Sequence, residues 1–160
     1  MSPRTLGPMP TIERARAEDI PAIVAMLADD PLGSVRETPD DLTPYLKAFA
    51  VIDADPHQYL AVARRDGRVV GTLQLTTLPG LSRTAATRAQ VESVRVHADE
   101  RGGGLGTELL EWAEREARER GCVLLQLTSD ATREDARRFY ERLGYEASHV
   151  GFKKPLAGEG

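Results

Sequence analysis

The sequence predicts a mixed α/β (α+β) domain, and three observations support this fold class. A chain of 160 residues with 41% hydrophobic residues has the size of one domain and can bury a sizeable core. Segments with the 3.6-residue period of a helix are interspersed with segments rich in β-forming residues. The run QYLAVARRDGRVVGTLQLTTL places two such β-rich segments around Asp66 and Gly67, a two-residue turn typical of an antiparallel hairpin. The predicted order is a strand, two helices, three strands, a helix, a strand, a helix and one or two final strands.

The first half is predicted as a strand, two helices and the hairpin. Residues 11–16 form the strand. In the first helix the apolar residues recur at the spacing of one helix face, namely Ile20, Ile23, Val24 and Leu27. A polar connection, DDPLGSVRETPDD, follows it. The second helix has Pro39 near its start, and its apolar face consists of Leu42, Tyr45, Leu46 and Phe49.

The second half is predicted to begin with a strand and a long helix. The residues of AQVESVRVHA alternate between the two faces of this strand, and one face is mixed in polarity. One set is Val91, Ser93 and Arg95, and the other is Glu92, Val94 and Val96. The helix after it ends at Gly121. Its buried stripe is predicted to consist of Leu105, Leu109, Leu110, Ala113 and Ala117.

The last elements are a buried strand, a helix and the final strands. CVLLQLTS is almost continuously apolar, as expected of a strand covered on both faces. Thr132 and Asp135 are spaced to open the next helix as a capping box, and Gly144 ends it. The inner face of this helix is predicted to be Ala136, Phe139, Tyr140 and Leu143. The segment YEASHVGFKKPL supplies the final strand or strands.

Composition excludes several classes of protein. No run reaches the ~18–20 apolar residues of a membrane span, and the N-terminus lacks an apolar signal-peptide core, so we expect a cytoplasmic protein that does not enter a membrane. A net charge of −4 argues against nucleic acid as the main partner. The single cysteine, Cys122, leaves no internal disulfide. Residues 1–10 contain three prolines and are expected to be a disordered leader.

Four glycines occur within residues 102–106, between a predicted strand and a predicted helix. The first backbone N–H groups of a helix have no intrahelical partner, and glycines let an anion approach them closely. Arg101 adds a positive charge beside the run. We therefore interpret the run as a pyrophosphate-binding turn, with a merely flexible turn as the alternative. Walker A and dinucleotide-binding patterns do not fit, because no lysine follows the glycines and Thr107 stands where G-x-G-x-x-G needs its third glycine.

The pattern that fits the run is R-x-x-G-x-G, with Arg101, Gly104 and Gly106. Together with ARRFYERLGYE, which is similar to A-x-x-F-Y-x-x-L-G-F, it resembles the GNAT superfamily of acetyl-CoA-dependent N-acetyltransferases. The resemblance covers residues 11–156 and implies a single acyl-CoA N-acyltransferase domain, followed by a tail at 157–160. It also implies a GNAT-like mixed, mostly antiparallel central sheet of about six to seven strands, flanked by about four helices.

The resemblance implies which residues hold acetyl-CoA as the co-substrate, and it implies no metal. The backbone of Val94, Arg95 and Val96 would pair with the pantetheine arm. The pyrophosphate would be held by Arg101, Gly102, Gly103, Gly104, Leu105, Gly106 and Thr107. Many relatives have a cofactor-contacting asparagine after the next strand, but TSDATRED has none. Ser129 or Asp130 would have to replace it.

Acetyl transfer to an amine needs a proton acceptor for the amine, a polarised carbonyl oxygen and a proton for the leaving thiolate. Glu92 is the candidate acceptor, directly or through water, and its alternative role is that of an exposed or ion-paired strand residue. His97 is the rival acceptor, but its position after the strand directs it toward the phosphates. The resemblance implies Tyr140 as the acid, whereas its position on an apolar helix face also fits a core aromatic. The backbone N–H of Val94 is the candidate donor to the carbonyl oxygen.

The predicted function is therefore direct transfer of an acetyl group from acetyl-CoA to the amine of an unidentified small molecule. Asp29, Asp30 and Glu37 form an acidic connection that could attract a cationic amine. The alternatives are a non-catalytic acetyl-CoA-binding or sensing module, a protein acetyltransferase and an enzyme for a larger acyl-CoA. The sequence leaves a homodimer open.

Overall fold

The structure, a computed structural model, describes residues 7–157, and these divide into two compact units that separate between Leu127 and Thr128. All strands found in the described residues belong to one sheet of the first unit. They are β1 (Thr11–Arg14), β2 (Gln58–Arg65), β3 (Arg68–Leu78), β4 (Arg88–Val96) and β5 (Leu124–Gln126).

Besides two 3-10 turns, Ala17–Asp19 and Ala98–Glu100, the described residues contain four α-helices of nine or more residues and two single α-helical turns. They are α1 (Ile20–Ala28), α2 (Gly33–Arg36), α3 (Thr43–Ala54), α4 (Ser82–Ala85), α5 (Leu105–Glu119) and α6 (Glu134–Arg142). The single turns are α2 and α4. Only α6 belongs to the second unit. Within residues 7–157, none of these helices is both long enough and apolar enough to cross a membrane.

The sheet follows chain order, β1-β2-β3-β4-β5. The first three pairings are antiparallel, and the pairing of β4 with β5 is parallel. The β2–β3 hairpin turns at Asp66 and Gly67, both of which have positive φ, as the turn signal predicts. A mixed, mostly antiparallel sheet is therefore confirmed.

Both faces of the sheet are covered, which explains why its central strand β3 is buried along most of its length. On one face Val62 packs in a core cluster with Ala15, which follows β1, and with residues of α1, and side chains of α3 pack against that cluster. On the other face a Cβ added to Gly71 would lie 3.2–3.3 Å from side chains of Leu105 and Leu109 of α5. The apolar stripe predicted for α5 is fully buried.

The second unit consists of α6 and the segment after it. The half-buried residues of α6 and its end are the predicted face, Ala136, Phe139, Tyr140 and Leu143. Gly144 has φ 96°, which suits the end of a helix. Residues 145–157 form no strand, so the described chain has five strands instead of the expected six to seven. The physical reason is that YEASHVGFKKPL holds few strand formers and is interrupted by Gly151 and Pro155.

The local expectations for α3 and for the start of α6 were also wrong. The second predicted helix, α3, begins at Thr43 with Pro44 in its first turn rather than near Pro39, and Leu46 is 43% exposed rather than on the packed face. The capping box at Thr132 does not form, because Asp130 accepts hydrogen bonds from both the backbone N–H and the hydroxyl of Thr132. The predicted leader lies partly outside the described residues.

A buried ion pair ties the start of α1 to the sheet. The Asp19 side chain is 4% exposed, and its Oδ2 lies 2.9 Å from Arg64 Nη2. Arg64 Nε also lies 2.6 Å from Glu13 Oε1 on β1. Burial opposes ionisation of Asp19, but hydrogen bonds from Arg64 and from the backbone N–H of Arg16 outweigh it and lower the pKa of that carboxyl.

We expect Asp19→Asn to destabilise the fold by about 3 kcal/mol at pH 7, because it leaves Arg64 without its buried partner. The lowered pKa means that Asp19 stabilises the fold above its unfolded pKa of ~3.9 and that this contribution is lost as the pH falls through its lower folded value. The difference from wild type should therefore shrink below about pH 4. Urea unfolding at several pH values measures it. Glu18→Gln, which removes an exposed pair with Arg16, is the control and should cost less than about 1 kcal/mol.

Candidate active site

The glycine run forms a turn between β4 and α5. His97 follows β4, and its backbone N–H donates to Val70 C=O at 2.8 Å. Gly102 and Gly104 have φ values of 83° and 86°, which explains why glycine is needed at these two positions. A Cβ at either would meet no atom within 4 Å, so open space lies beside both backbones. An anion therefore has room to approach this turn.

The amino end of α5 supplies hydrogen-bond donors to that space. The first bond of the helical ladder runs from Glu108 N–H to Gly104 C=O at 3.1 Å. The N–H groups of Leu105, Gly106 and Thr107 precede it and have no place in the ladder. The Leu105 side chain is 2% exposed, so it fixes the first turn against the sheet. Free N–H groups and the helix dipole suit a pyrophosphate, as the glycine pattern predicts.

A second buried ion pair, which the sequence analysis did not find, holds the turn in place. The Glu100 side chain is 8% exposed, and its two oxygens lie 2.8 and 3.3 Å from Nε and Nη2 of Arg65. The two residues are 35 positions apart, and no sequence pattern links them. His97 Nδ1 accepts a hydrogen bond from Asp99 N–H at 3.1 Å, so it caps the one-turn helix Ala98–Glu100. This contact gives His97 a structural role.

The acidic connection after α1 contacts the same region. Asp29 Oδ2 lies 3.3 Å from Arg101 Nη2, and both side chains are more than half exposed. Such exposed pairs contribute about 0–1 kcal/mol, so an incoming phosphate can compete for Arg101. Asp30 Oδ2 lies 3.4 Å from Arg95 Nε, and Glu37 accepts a hydrogen bond from the Tyr45 hydroxyl at 2.9 Å. All three acidic side chains thus contact groups of the protein itself, which weakens the idea that they serve a cationic amine.

Strand β4 leaves much of one edge unpaired among the described residues. It pairs with β3 up to Val96, but its pairing with β5 covers only Arg88, Ala89 and Gln90. The backbone edge of residues 92–96 away from β3 has no strand partner there, and within this segment the Val94 C=O already accepts a hydrogen bond from Arg95 Nη1 at 2.9 Å. This arrangement fits the expected pairing of the pantetheine arm with Val94, Arg95 and Val96.

A β-bulge changes which side chains share a face of β4. Ser93 has φ 55°, and the register shifts so that Glu92 lies opposite Gln74, Arg95 opposite Thr72 and Val96 opposite Gly71. Glu92 therefore shares a face with Arg95 and not with Val96, which corrects the simple alternation expected from the sequence. A positive φ at a serine is uncommon, so residue type did not signal the bulge.

Glu92 is exposed on the sheet face that carries α1 and α3. Its Oε1 accepts a hydrogen bond from Gln90 Nε2 at 2.8 Å. It has no ion pair among the salt bridges found in residues 7–157. Glu92 is thus an oriented and accessible carboxylate, as a proton acceptor must be.

The other candidate residues lie in the second unit. Tyr140 on α6 is half-buried, and its ring packs 5.3 Å from the Phe139 ring and 5.9 Å from the Tyr145 ring, measured between centroids. Ser129 is exposed, and Asp130 Oδ1 is engaged with Thr132. In the part of the chain that the structure describes, no group of three or more His, Cys, Asp or Glu side chains is placed to hold a metal ion.

Residues 20–145 match the sequence profile of the Acetyltransferase (GNAT) family. The chain belongs to this family. As a GNAT protein it is an acyltransferase, and the family uses acetyl-CoA as co-substrate. The matched region includes the glycine turn, α5 and α6 and therefore both motifs identified in the sequence.

Individual relatives agree with this assignment. The aminoalkylphosphonate N-acetyltransferase of Salmonella typhimurium is 32% identical over 149 residues, which cover 93% of each chain. A solved structure described as a transcriptional regulator from Bacillus halodurans C-125 is 44% identical, with a TM-score of 0.89 over 92% of this chain and 99% of its own. A Trypanosoma brucei acetyltransferase structure is 24% identical, with a TM-score of 0.76 over 91% of this chain and 99% of its own, and supports the fold alone.

We expect Gly106→Val and Gly104→Val to weaken acetyl-CoA binding about tenfold or more, because the new side chain covers N–H groups whose bonds to a charged phosphate contribute ~1.5–3 kcal/mol. Calorimetric titration measures the affinity. Any residue with a Cβ at Gly104 also strains the backbone, so Gly121→Val at the end of α5, where φ is 77°, is the matched control for strain. Unchanged affinity in folded variants of both turn glycines would contradict a phosphate-binding role.

Proposed function

We propose that this chain transfers the acetyl group of acetyl-CoA directly to the amine of a small molecule, and that aminoalkylphosphonates are its acceptor class. The observation that carries the proposal is the 32% identity, across nearly the whole of both chains, with an enzyme named for that acceptor. The turn and the open edge of β4 support the donor half of the reaction, since they offer complementary donors to a pyrophosphate and a pantetheine arm.

Two arginines on the face of Glu92 suit an acceptor with an anionic end. Arg88 lies opposite Leu78 and Arg95 opposite Thr72, so both share the sheet face of Glu92. Two strand positions on one face, such as those opposite Thr72 and Gln74, are separated by about 6.5 Å. An amine at Glu92 would therefore bring a phosphonate on a short alkyl chain within reach of Arg95. A guanidinium binds a phosphonate as it binds a phosphate, through two parallel hydrogen bonds.

The proposed chemistry assigns one proton to each of two side chains. The amine nitrogen forms a bond to the thioester carbonyl carbon, and the bond from that carbon to sulfur breaks. Glu92 takes the amine proton, directly or through a water molecule, and the Tyr140 hydroxyl gives its proton to the leaving thiolate. The backbone N–H of Val94, beside the bulge, donates to the carbonyl oxygen.

A second candidate function is acetyl-CoA sensing without transfer. The Bacillus halodurans relative, at 44% identity, is described as a transcriptional regulator. This function predicts acetyl-CoA binding with no thiol release for any acceptor.

A homodimer also stays a proposal, and the side chains of Val150 and Phe152, 79% and 94% exposed, offer apolar surface for it.

The proposal predicts that 2-aminoethylphosphonate is acetylated with a kcat/KM at least about tenfold above that of propylamine, since a hydrogen bond to a charged group contributes ~1.5–3 kcal/mol. Release of free thiol measures both rates, and a peptide with a free amino terminus tests protein acetylation in parallel. Arg95→Gln should lower the ratio of kcat/KM for 2-aminoethylphosphonate to kcat/KM for propylamine. Arg118→Gln, on the exposed side of α5, should leave this ratio unchanged. Faster acetylation of the peptide than of 2-aminoethylphosphonate would contradict the proposal. So would binding of acetyl-CoA with no release of its thiol in the presence of any acceptor.

Tyr140→Phe should lower kcat by about 100-fold, the lower end for loss of a general acid, because a thiolate leaves tolerably well without a proton. The ring remains, so its packing against Phe139, the melting temperature and acetyl-CoA affinity should change little. Tyr145→Phe, on the neighbouring ring, is the matched control and should keep the wild-type rate. A Tyr140→Phe variant as fast as wild type would reduce Tyr140 to an aromatic packing residue.

A further inference from the structure

A chain of side-chain hydrogen bonds leads across two strands to Glu92. Arg88 Nη1 donates to Gln126 Oε1 at 3.0 Å, and Gln126 Nε2 donates to Gln90 Oε1 at 3.0 Å. Gln90 Nε2 then donates to Glu92 Oε1 at 2.8 Å. Arg88, Gln90 and Glu92 are alternate residues of β4, and Gln126 pairs with Gln90 across the parallel β4–β5 register. All four side chains therefore lie along one face of the sheet.

The direction of this chain of hydrogen bonds is determined by the groups at its two ends, Arg88 and Glu92. A guanidinium can only donate hydrogen bonds, so Gln126 must accept with its oxygen and donate with its nitrogen. Gln90 must likewise accept from Gln126 and direct its NH₂ group at Glu92. An ionised carboxylate can only accept, which matches the last donor. Neither amide can rotate by 180° without losing both of its bonds, so the chain is ordered from Arg88 to Glu92.

The chain of hydrogen bonds lies next to the part of β4 that has no β5 partner. Gln90 and Gln126 form the last residue pair of the β4–β5 pairing. Beyond them β4 continues to the bulge at Ser93, and its edge toward β5 is unpaired in the described residues. The side chains of this last pair thus connect the end of the pairing to the carboxylate that follows it.

We infer that Gln90, held by Gln126, is a positioning residue for Glu92. Its NH₂ group occupies Oε1 and orients the carboxylate, which leaves Oε2 to take the proton of the amine. Arg88 acts at the far end of the chain as the obligate donor that sets the direction of both amides. The inference rests on the proposed function of Glu92, and it adds a role for residues on β4 and β5 that do not contact the reacting atoms.

A double-mutant cycle with Gln90→Leu and Glu92→Gln tests this inference. Steady-state acetylation of 2-aminoethylphosphonate is measured for the two single variants, the double variant and wild type. Gln90→Leu should lower kcat roughly tenfold, part of the 10²–10⁴-fold contribution of a general base, with the KM for acetyl-CoA unchanged. In the Glu92→Gln background, Gln90→Leu should change kcat by less than about twofold, because Gln90 affects the reaction only through Glu92. Gln58→Leu is the matched control, since Gln58 accepts amide and hydroxyl hydrogen bonds from Gln74 and Thr76 on the same face.

The pH dependence gives a readout that a merely structural role would not move. Gln90→Glu keeps an acceptor for Gln126 but places a second carboxylate against Glu92, and like charges disfavour ionisation. The acid limb of the kcat/KM profile should therefore move about one unit to higher pH. Gln58→Glu, the control for added charge, should leave the acid limb within a few tenths of a unit of wild type.

The possible results separate this inference from the proposal beneath it. Non-additive effects together with the shifted acid limb support the positioning role. A Gln90→Leu variant with wild-type kcat, or one that loses the same factor with and without Glu92, overturns the positioning role and leaves Glu92 as the base. A Glu92→Gln variant with the wild-type rate at every pH overturns the base assignment itself, and the positioning role with it.

Discussion

The pairing of β4 with β5 ends after three residues, and the candidate site depends on where it ends. Up to Gln90 the strand belongs to a continuous sheet, and from Glu92 to Val96 it is paired on one side only among the described residues. The N–H and C=O groups on that edge lack a strand partner, so they can form hydrogen bonds with another extended molecule. A ligand with amide groups along its length can supply those bonds. We therefore propose that the same strand serves as a structural element in its first half and as a binding element in its second.

The glycine turn, which we propose binds the pyrophosphate, follows directly from this strand, and buried groups fix its position at both ends. Glu100 is held by Arg65 of the β2–β3 hairpin, and Leu105 packs under the first turn of α5. Between these two anchors, Gly102 and Gly104 adopt the left-handed backbone that brings the chain into the helix. An anion that binds here meets N–H groups already in place, so little ordering entropy opposes binding. Exposed Arg101 adds charge to a site whose geometry is set by the backbone.

Much of the fold can be predicted from periodicity, and the site can be predicted only in part. The stripe from Leu105 to Ala117 and the turn at Asp66 are visible in sequence, because helix period and turn chemistry are local properties. The Arg65–Glu100 pair is not visible, since it joins residues that only the folded hairpin brings together. The bulge at Ser93 is also hidden, because it results from a mismatch between two strands, and it moves Glu92 to the face of Arg95. The final strands were expected from a segment too poor in strand formers to specify them.

The most direct test of this account is hydrogen exchange at the backbone amides of β4 and the turn. Acetyl-CoA should slow exchange of the unpaired amides within residues 92–96 and of the amides at 104–107. Pantetheine alone should protect only the β4 segment, and adenosine 3′-phosphate 5′-diphosphate, which carries the pyrophosphate, should protect only the turn. If saturating acetyl-CoA leaves exchange unchanged in both segments, the open edge of β4 and the amino end of α5 are not the binding surface.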